Sequence, residues 1–326
     1  MRRFEHINAK TVKEAVANLN KYNGSAKAIA GGTDLLGALR DGIWPDSPAA
    51  IINLKSISGL SYIKEGTQGL KIGALTTLSD IAESALVAKN YTALADAARR
   101  TASPLLRNLG TLAGNICQEN RCWYYRYPEK LSGRIDCARK GGKTCPAVQG
   151  DNRYHSIFGA VNKCIAVNPS DTAPALVALA AIIKTTKRSI PVDDFFTANK
   201  GMKSTVLDAD EIITEIRVPN PAPKTKTAFK KIALRKTIDF AIVNCAVAIT
   251  ANGSSISAAR VCVNGVYNNP YRATGAEEVL QSCSFDEAAA QKAGEAAVAA
   301  AKPLPMNRYK VQMAKSLVAD TILVCG

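Results

Sequence analysis

The chain has 326 residues, of which 47% are hydrophobic, with 22 Gly and 14 Pro. That composition excludes a disordered or collagen-like chain and leaves room for two or three domains. Lys and Arg number 42 against 27 Asp and Glu, a formal charge of +15, but the basic residues fall in short separate clusters (CARKGGK, KTTKR, KTKTAFKK) that match no nucleic-acid-binding module. The excess reads instead as a surface for acidic protein partners or an anionic cofactor. The longest apolar stretches, 174–183 and 318–324, fall short of a bilayer span, and the opening MRRFEHINAK has no apolar region behind its arginines. Neither a membrane span nor a secretory signal is therefore expected, and the default location is the cytoplasm.

Thr11-Val12-Lys13-Glu14 has capping-box spacing and predicts a helix with Val12, Ala15, Val16 and Leu19 on one face. The run Lys27-Ala28-Ile29-Ala30, ending in Gly31-Gly32, predicts a strand entering a tight turn. Strands are expected over 50–54 and 70–75, then helices from about Thr77 and Thr92 with those threonines as N-caps. From Asn115 to about Cys164 hydrophobic periodicity disappears. A loop of that length is uncommon inside a domain unless something organises it, and metal ligation can supply folding energy that a core does not. Periodicity returns with a predicted helix over 174–183 and a strand over 212–218. The latter leads to Pro219-Asn220-Pro221-Ala222-Pro223, the best domain boundary in the chain. Beyond it come a strand over 229–234 and an alternating pair around Asn252-Gly253, a hairpin turn signal. Val243, Cys245, Val247 and Ile249 alternate before that turn, Val261 and Val263 after it. Helices close the chain, the last with Val311, Ala314, Val318 and Ile322 on one face.

Two turns carry candidate chemistry: Ala30-Gly31-Gly32-Thr33-Asp34 and Thr111-Leu112-Ala113-Gly114-Asn115. Glycine lets backbone N–H groups converge on an anion, and a pyrophosphate fits between two such turns. Neither turn matches the G-x-G-x-x-G fingerprint or the P-loop, which disfavours a Rossmann domain. Nine cysteines without a secretory signal argue against a disulfide scaffold. Cys245 and Cys262 sit in alternating strands and read as small buried thiols. Cys122, Cys137, Cys145 and Cys164, separated by 14, 7 and 18 residues, match neither a ferredoxin run nor a zinc ribbon. Four thiolates suit a cubane cluster or structural zinc alike, and spacing leaves Cys117 as a competing ligand. Trp123, Tyr124 and Tyr125 read as local packing before cluster shielding, and His155 as solvent-facing or hydrogen-bonded before a ligand.

Taken in order, AIAGGTDLL, RNLGTLAGN, NPSDTAPAL and KKIALRKTIDFA resemble the medium, FAD-binding subunit of the xanthine dehydrogenase (molybdenum hydroxylase) family over essentially the whole chain. The insert NRCWYYRYPEKLSGRIDCARKGGKTCPAVQGDNRYHSIFGAVNKC separates the second glycine turn from the Pro-Ser-Asp segment. It resembles the inserts of the 4-hydroxybenzoyl-CoA reductase β-subunit and the FAD subunit of the periplasmic aldehyde oxidoreductase, where four cysteines hold a 4Fe–4S cluster. The resemblance implies an α+β fold: a two-lobed FAD-binding domain of the vanillyl-alcohol-oxidase-like (PCMH) type over 1–223, with the cluster insert at about 116–165, and a smaller C-terminal α/β domain over 224–326 as in CO dehydrogenase flavoproteins. Carried over by residue, it implies that Lys27, Ala28, Ile29, Ala30, Gly31, Gly32, Thr33 and Asp34 wrap the FAD pyrophosphate. Thr111, Gly114 and Asn115 form the second cofactor turn, Asp171 contacts flavin hydroxyls, Ile190 makes a backbone contact, and Lys231 reaches the flavin or its phosphates. The bland readings of Asp171 and Lys231 are a helix N-cap and a solvated strand lysine. The implied metal ligands are Cys122, Cys137, Cys145 and Cys164, with Cys117 outside the set.

The implied function is electron transfer, with the molybdenum cofactor on a large partner subunit, two 2Fe–2S clusters on a small one, and an external carrier such as ferredoxin. A partner's export signal would move the assembled complex to the periplasm. The competing readings are a zinc-stapled scaffold without flavin and a stand-alone flavin oxidase.

Overall fold

The structure is a computed structural model that describes residues 2–196 and 203–326. Three short parallel strands, β1 (Glu5–Asn8), β2 (Ala26–Ile29) and β3 (Ala50–Asn53), form a first sheet in the order β1-β3-β2. The helix Val12–Lys21 crosses between the first two and buries Ala15 and Leu19 with Ala50 and Ile52. Thr11 caps it by accepting from the Glu14 N–H at 3.1 Å, while the Glu14 carboxylate returns to the N–H of Lys10 at 2.7 Å. The reciprocal bond of the expected capping box thus falls one residue early.

The second sheet is antiparallel: β4 (Ile63–Gly66), β5 (Gly69–Gly73), β6 (Ile182–Thr185), β7 (Ser189–Pro191) and β8 (Ile213–Pro219), in the order β4-β5-β8-β6-β7. Leu70, Ile72, Ile183, Ile216 and Val218 enter one core with the helices Leu78–Glu83, Thr92–Arg99 and Thr172–Ala178. Two expectations need correction. The apolar run 174–183 is not one helix: it ends at Ala178, turns through Ala180 at φ +51° and re-enters as β6. Helix and strand face the same core, so apolar character alone could not show the break. Thr92 is not a cap either; Tyr91 occupies that position, and the Thr92 hydroxyl donates back to the Ala88 carbonyl at 3.2 Å. Thr77 does cap its helix, in a capping box with Asp80.

The third sheet holds β9 (Thr225–Ile232), β10 (Val243–Asn252), β11 (Ser255–Asn264) and β12 (Tyr271–Arg272), antiparallel in the order β12-β11-β10-β9. Gly253, at φ +63°, makes the expected hairpin turn. One face of the sheet (Cys245, Val247, Ile249, Val261, Val263) packs on the helices Thr274–Ser282, Glu287–Val298 and Tyr309–Leu323. Phe229, Ala246 and Cys262 on the other face join the core of the second sheet. The sheet is covered on both sides, which accounts for its long apolar strands.

The cysteine-rich stretch contains only a single helical turn, Glu129–Ser132, and two 3₁₀ turns, Ala138–Lys140 and Pro146–Val148. It is gripped from two directions. Its first half packs Tyr125 and Cys137 against Ala38 and Ile43, and the Trp44 indole donates to the Tyr125 hydroxyl at 3.0 Å. Its second half is tied to the closing helices. Lys310 Nζ donates to the carbonyls of Tyr154 and His155 at 3.1 Å and of Gly265 at 2.6 Å. Asn307 Nδ2 donates to the carbonyls of His155 and Ser156 at 3.3 and 3.0 Å. Lys310 is wholly buried; burial pushes its ammonium down to about 7, and three carbonyl acceptors oppose that push. Among the described residues no helix is long and apolar enough to cross a membrane.

Candidate functional site: a cleft between two glycine turns

The first glycine turn follows β2 directly and meets the second at backbone distance. A Cβ on Gly31 would lie 2.1 Å from the Leu109 carbonyl oxygen, so no larger residue fits while the turns touch. Gly32 has φ +72°, a conformation that other residues rarely adopt. On the second turn, Thr111 Oγ1 accepts from the Gly114 N–H at 3.1 Å, and the Leu112 N–H is held by the Thr76 carbonyl at 3.0 Å.

Between the turns lies a cleft of about 300 Å³. All the predicted residues of both turns line it: Lys27, Ala28, Ile29, Ala30, Gly31, Gly32, Thr33 and Asp34 from one, Thr111, Gly114 and Asn115 from the other. Among the described residues, the N–H groups of Gly31, Gly32 and Thr33 donate to no protein acceptor. A row of free donors on a glycine turn suits a phosphate-bearing ligand. The fit to FAD therefore rests on this cradle and on the close approach that only Gly31 permits.

Asp171 also lines the cleft, but its carboxylate is spent inside the protein. Oδ2 accepts from Lys231 Nζ at 2.6 Å and Oδ1 from Asn244 Nδ2 at 2.7 Å, in a fully buried cluster where desolvation pushes the carboxyl up against the pull of Lys231. Asp171 precedes the helix Thr172–Ala178 without a side-chain capping bond, so the bland N-cap reading does not hold. Lys231 is buried, not solvated; it reaches Asp171 and the Arg100 carbonyl and is not a cleft-lining residue. Ile190 lies in β7 within the core of the second sheet, away from the cleft lining. Asn115 Oδ1 accepts from Ser170 Oγ at 2.5 Å and Thr172 Oγ1 at 2.7 Å, which locks the second turn to the Pro-Ser-Asp segment.

Other cleft residues are absent from the sequence-based set. Ile238, Asp239 and Phe240 line the cleft; they lie within the quoted run KKIALRKTIDFA, which was their only signal. Arg121 lines it as well, from inside the cysteine insert. Its Nη2 lies 2.9 Å from Asp34 Oδ1, and Arg126 Nη2 reaches the same oxygen at 2.8 Å; the Glu119 N–H takes Oδ2 at 2.9 Å. Two arginines on one carboxylate could not be read from sequence, because more than 80 residues separate the partners. Cys117 is a lining thiol too, and burial pushes it up to about 12, which keeps it neutral and unreactive.

Cys122 of the insert directly follows the cleft-lining Arg121 in the chain. Cys122 lies within electrostatic range of Cys145 and Cys164, and Cys164 within range of Cys145 and Cys137. Lys140 is within range of Cys137 and Cys122, and its Nζ is buried without an acceptor. His155 is buried rather than solvent-facing, with Nε2 3.1 Å from Cys122 Sγ. Trp123 and Tyr124 both pack against its ring. All nine cysteines are free, and among the described residues no three His, Cys, Asp or Glu side chains converge closely enough to hold a single metal ion.

Known proteins resemble this chain over nearly its whole length. Residues 2–221 match the family described as the FAD binding domain in molybdopterin dehydrogenase, and residues 227–324 match the CO dehydrogenase flavoprotein C-terminal domain. The chain is 32% identical over 330 residues to the aldehyde oxidoreductase FAD-binding subunit PaoB of Escherichia coli, covering 99% of this chain and 98% of that protein. It is 30% identical to the carbon monoxide dehydrogenase medium chain of Hydrogenophaga pseudoflava, covering 97% of this chain and 94% of that one. A solved structure of carbon monoxide dehydrogenase from that organism superposes with a TM-score of 0.77 at 27% identity, over 99% of this chain and 97% of its own.

Proposed function

The chain belongs to the FAD-binding medium subunits of the molybdenum hydroxylase family, oxidoreductases built from several subunits, and on that premise we propose that it is the electron-transfer flavoprotein of such a complex, with a second redox centre in its cysteine insert. The FAD-binding domain spans 1–223 and the C-terminal flavoprotein domain 224–326. FAD would lie across the cleft, held by the N–H groups of Gly31, Gly32 and Thr33 and by the turn of Thr111, Gly114 and Asn115. Bound there, it supplies exchange of electrons in pairs with one carrier and singly with iron–sulfur centres. Lys231 and Asn244 hold Asp171 in place at the cleft wall, and Asn115 holds the segment that carries it.

Cys122, Cys137, Cys145 and Cys164 would hold a 4Fe–4S cluster, which supplies single-electron transfer. The proximity of Cys122 to Cys145 and Cys164, and of Cys164 to Cys145 and Cys137, supports this, as does the resemblance of the insert to those that carry such a cluster. The Lys140 ammonium, which has no hydrogen-bond acceptor and lies over the Tyr125 ring, would offset the negative charge of such a cluster. One observation carries the reading: Arg121 lines the flavin cleft and Cys122 is its covalent neighbour, so the two centres share a wall. Substrate chemistry would belong to a large subunit with the molybdenum cofactor, and a small subunit would bring two 2Fe–2S clusters. An external acidic carrier such as ferredoxin would complete the chain, drawn by the excess of basic residues. The assembled complex would be cytoplasmic, or periplasmic where a partner subunit carries an export signal.

Anaerobic purification followed by visible spectroscopy and metal analysis tests the proposal. The expected result is flavin absorption together with about four iron atoms per chain, and loss of the cluster signal in Cys137→Ser. Zinc in place of iron, or a cluster retained in that variant, overturns the ligand assignment.

A further inference from the structure

The cleft wall has a charge balance that the glycine turns do not explain. Four carboxylates line it: Asp34, Glu119, Asp171 and Asp239. Each has its own cation, at 2.8 Å from Arg126, 3.0 Å from Arg139, 2.6 Å from Lys231 and 2.5 Å from Arg235 respectively. Arg121 and Lys27 are left over among the lining residues. Lys27 is exposed, with Nζ 5.6 Å from the centre of the Trp44 ring. Arg121 is largely enclosed: it shares Asp34 with Arg126, its Nε is buried with no acceptor, and its guanidinium lies 4.3 Å over the Phe240 ring.

We infer that Arg121 is a cofactor-binding residue, its guanidinium supplying the fixed positive charge against which the pyrophosphate of FAD is held. The inference rests on the FAD-binding reading and deepens it. Asp34 ends the glycine turn whose free N–H groups face the same ligand, and an unneutralised carboxylate there would repel a dianion. Arg126 and the Glu119 N–H neutralise and fix that carboxylate. Arg121 then stands as surplus charge, its plane set by Phe240 on one side and Asp34 on the other. Arg121 shares its one carboxylate with Arg126 and keeps a buried Nε without an acceptor, so it lacks a full counter-charge, which a bound phosphate provides. Because Arg121 and Arg126 both belong to the cysteine insert, the insert would complete the flavin site as well as carry its own centre.

The test is reconstitution of flavin-stripped protein with FAD at low and high salt, for wild type, Arg121→Gln and Arg121→Lys, followed by quenching of flavin fluorescence. The expected result is FAD affinity about tenfold weaker in R121Q at low salt, a gap that closes at high salt, and a salt dependence retained in R121K. Wild-type affinity in R121Q overturns the inference. So does a loss by the same factor at every salt concentration, since that marks a packing role. Should R121Q fail to fold, R121K and wild type decide: affinity that does not respond to salt in either removes the charge argument. A wild-type protein that takes up no FAD at all refutes the FAD-binding reading itself, a separate outcome.

Discussion

The imidazole Nε2 of His155 lies 3.1 Å from Sγ of Cys122, across 33 residues of a segment with almost no regular structure. The ring is positioned by its backbone, because Lys310 Nζ and Asn307 Nδ2 both hold the His155 carbonyl. Burial, with Lys310 nearby, pushes the imidazole down to about 4. A cysteine that ligates metal is a thiolate, and Nε2–H is the tautomer that donates to it. Replacing His155 with Leu should therefore weaken metal retention by about 10- to 100-fold, as loss of such an outer hydrogen bond commonly does. The rate of iron release to a chelator measures it, and a rate equal to wild type would refute the role.

Gly31→Ala should abolish or strongly impair FAD uptake. The added methyl would lie 2.1 Å from the Leu109 carbonyl oxygen, so the two turns must separate to accept it. Overpacking of this kind costs about 1–3 kcal/mol, which the cores of the three sheets can absorb. Flavin content per folded chain is the readout, with circular dichroism unchanged; full flavin content would show that the turns tolerate separation.

Lys231→Met removes one half of a buried ion pair and leaves the Asp171 carboxylate with Asn244 as its side-chain hydrogen-bond donor and the charge of Arg100 nearby. Stranding a buried charge in this way costs about 3–5 kcal/mol. Desolvation already raises the Asp171 carboxyl, and without Lys231 it rises further. A folded-state pKa above the unfolded value means that the folded form binds the proton more tightly, so stability is lost as pH rises above the ordinary carboxylate range. K231M should therefore be least stable at neutral and higher pH and recover part of the loss on acidification. Urea midpoints on either side of that range check this; a deficit that does not change with pH contradicts it.

Lys310→Met should loosen the second half of the insert from the closing helices. The carbonyls of Tyr154 and Gly265 lose the Lys310 donor in a dry environment, and that of His155 is left with Asn307 alone, with a loss of about 3 kcal/mol. Faster hydrogen exchange confined to residues 152–157 and their partners, with β10 unaffected, is the expected pattern. Uniform exchange behaviour across the C-terminal sheet would argue against a local clasp.

Local chemistry was legible in the sequence wherever the chain interacts with itself over a few residues. The caps at Thr11 and Thr77, the Asn252-Gly253 hairpin and the strand-to-glycine turn at Ile29-Ala30-Gly31-Gly32 are each specified by near neighbours, and the structure has them. Where two kinds of element share one core, apolar character could not separate them, which is why residues 174–183 looked like a single helix.

Within the cleft, the backbone cradle was readable because glycine and threonine declare their conformations locally. The electrostatic wall was not. Arg121 and Arg126 meet Asp34, and Lys231 meets Asp171, only because the sheets and the insert bring distant segments together in a poorly hydrated place. A lysine that looks solvated in sequence becomes a buried counter-ion there, because desolvation makes a charge partner obligatory. The amino-acid sequence alone thus settled which turns could cradle a phosphate and which cysteines stand apart from the strands. Only the tertiary structure decided which charges surround that cradle, since burial and long-range pairing, not residue type, determine what a charged group does.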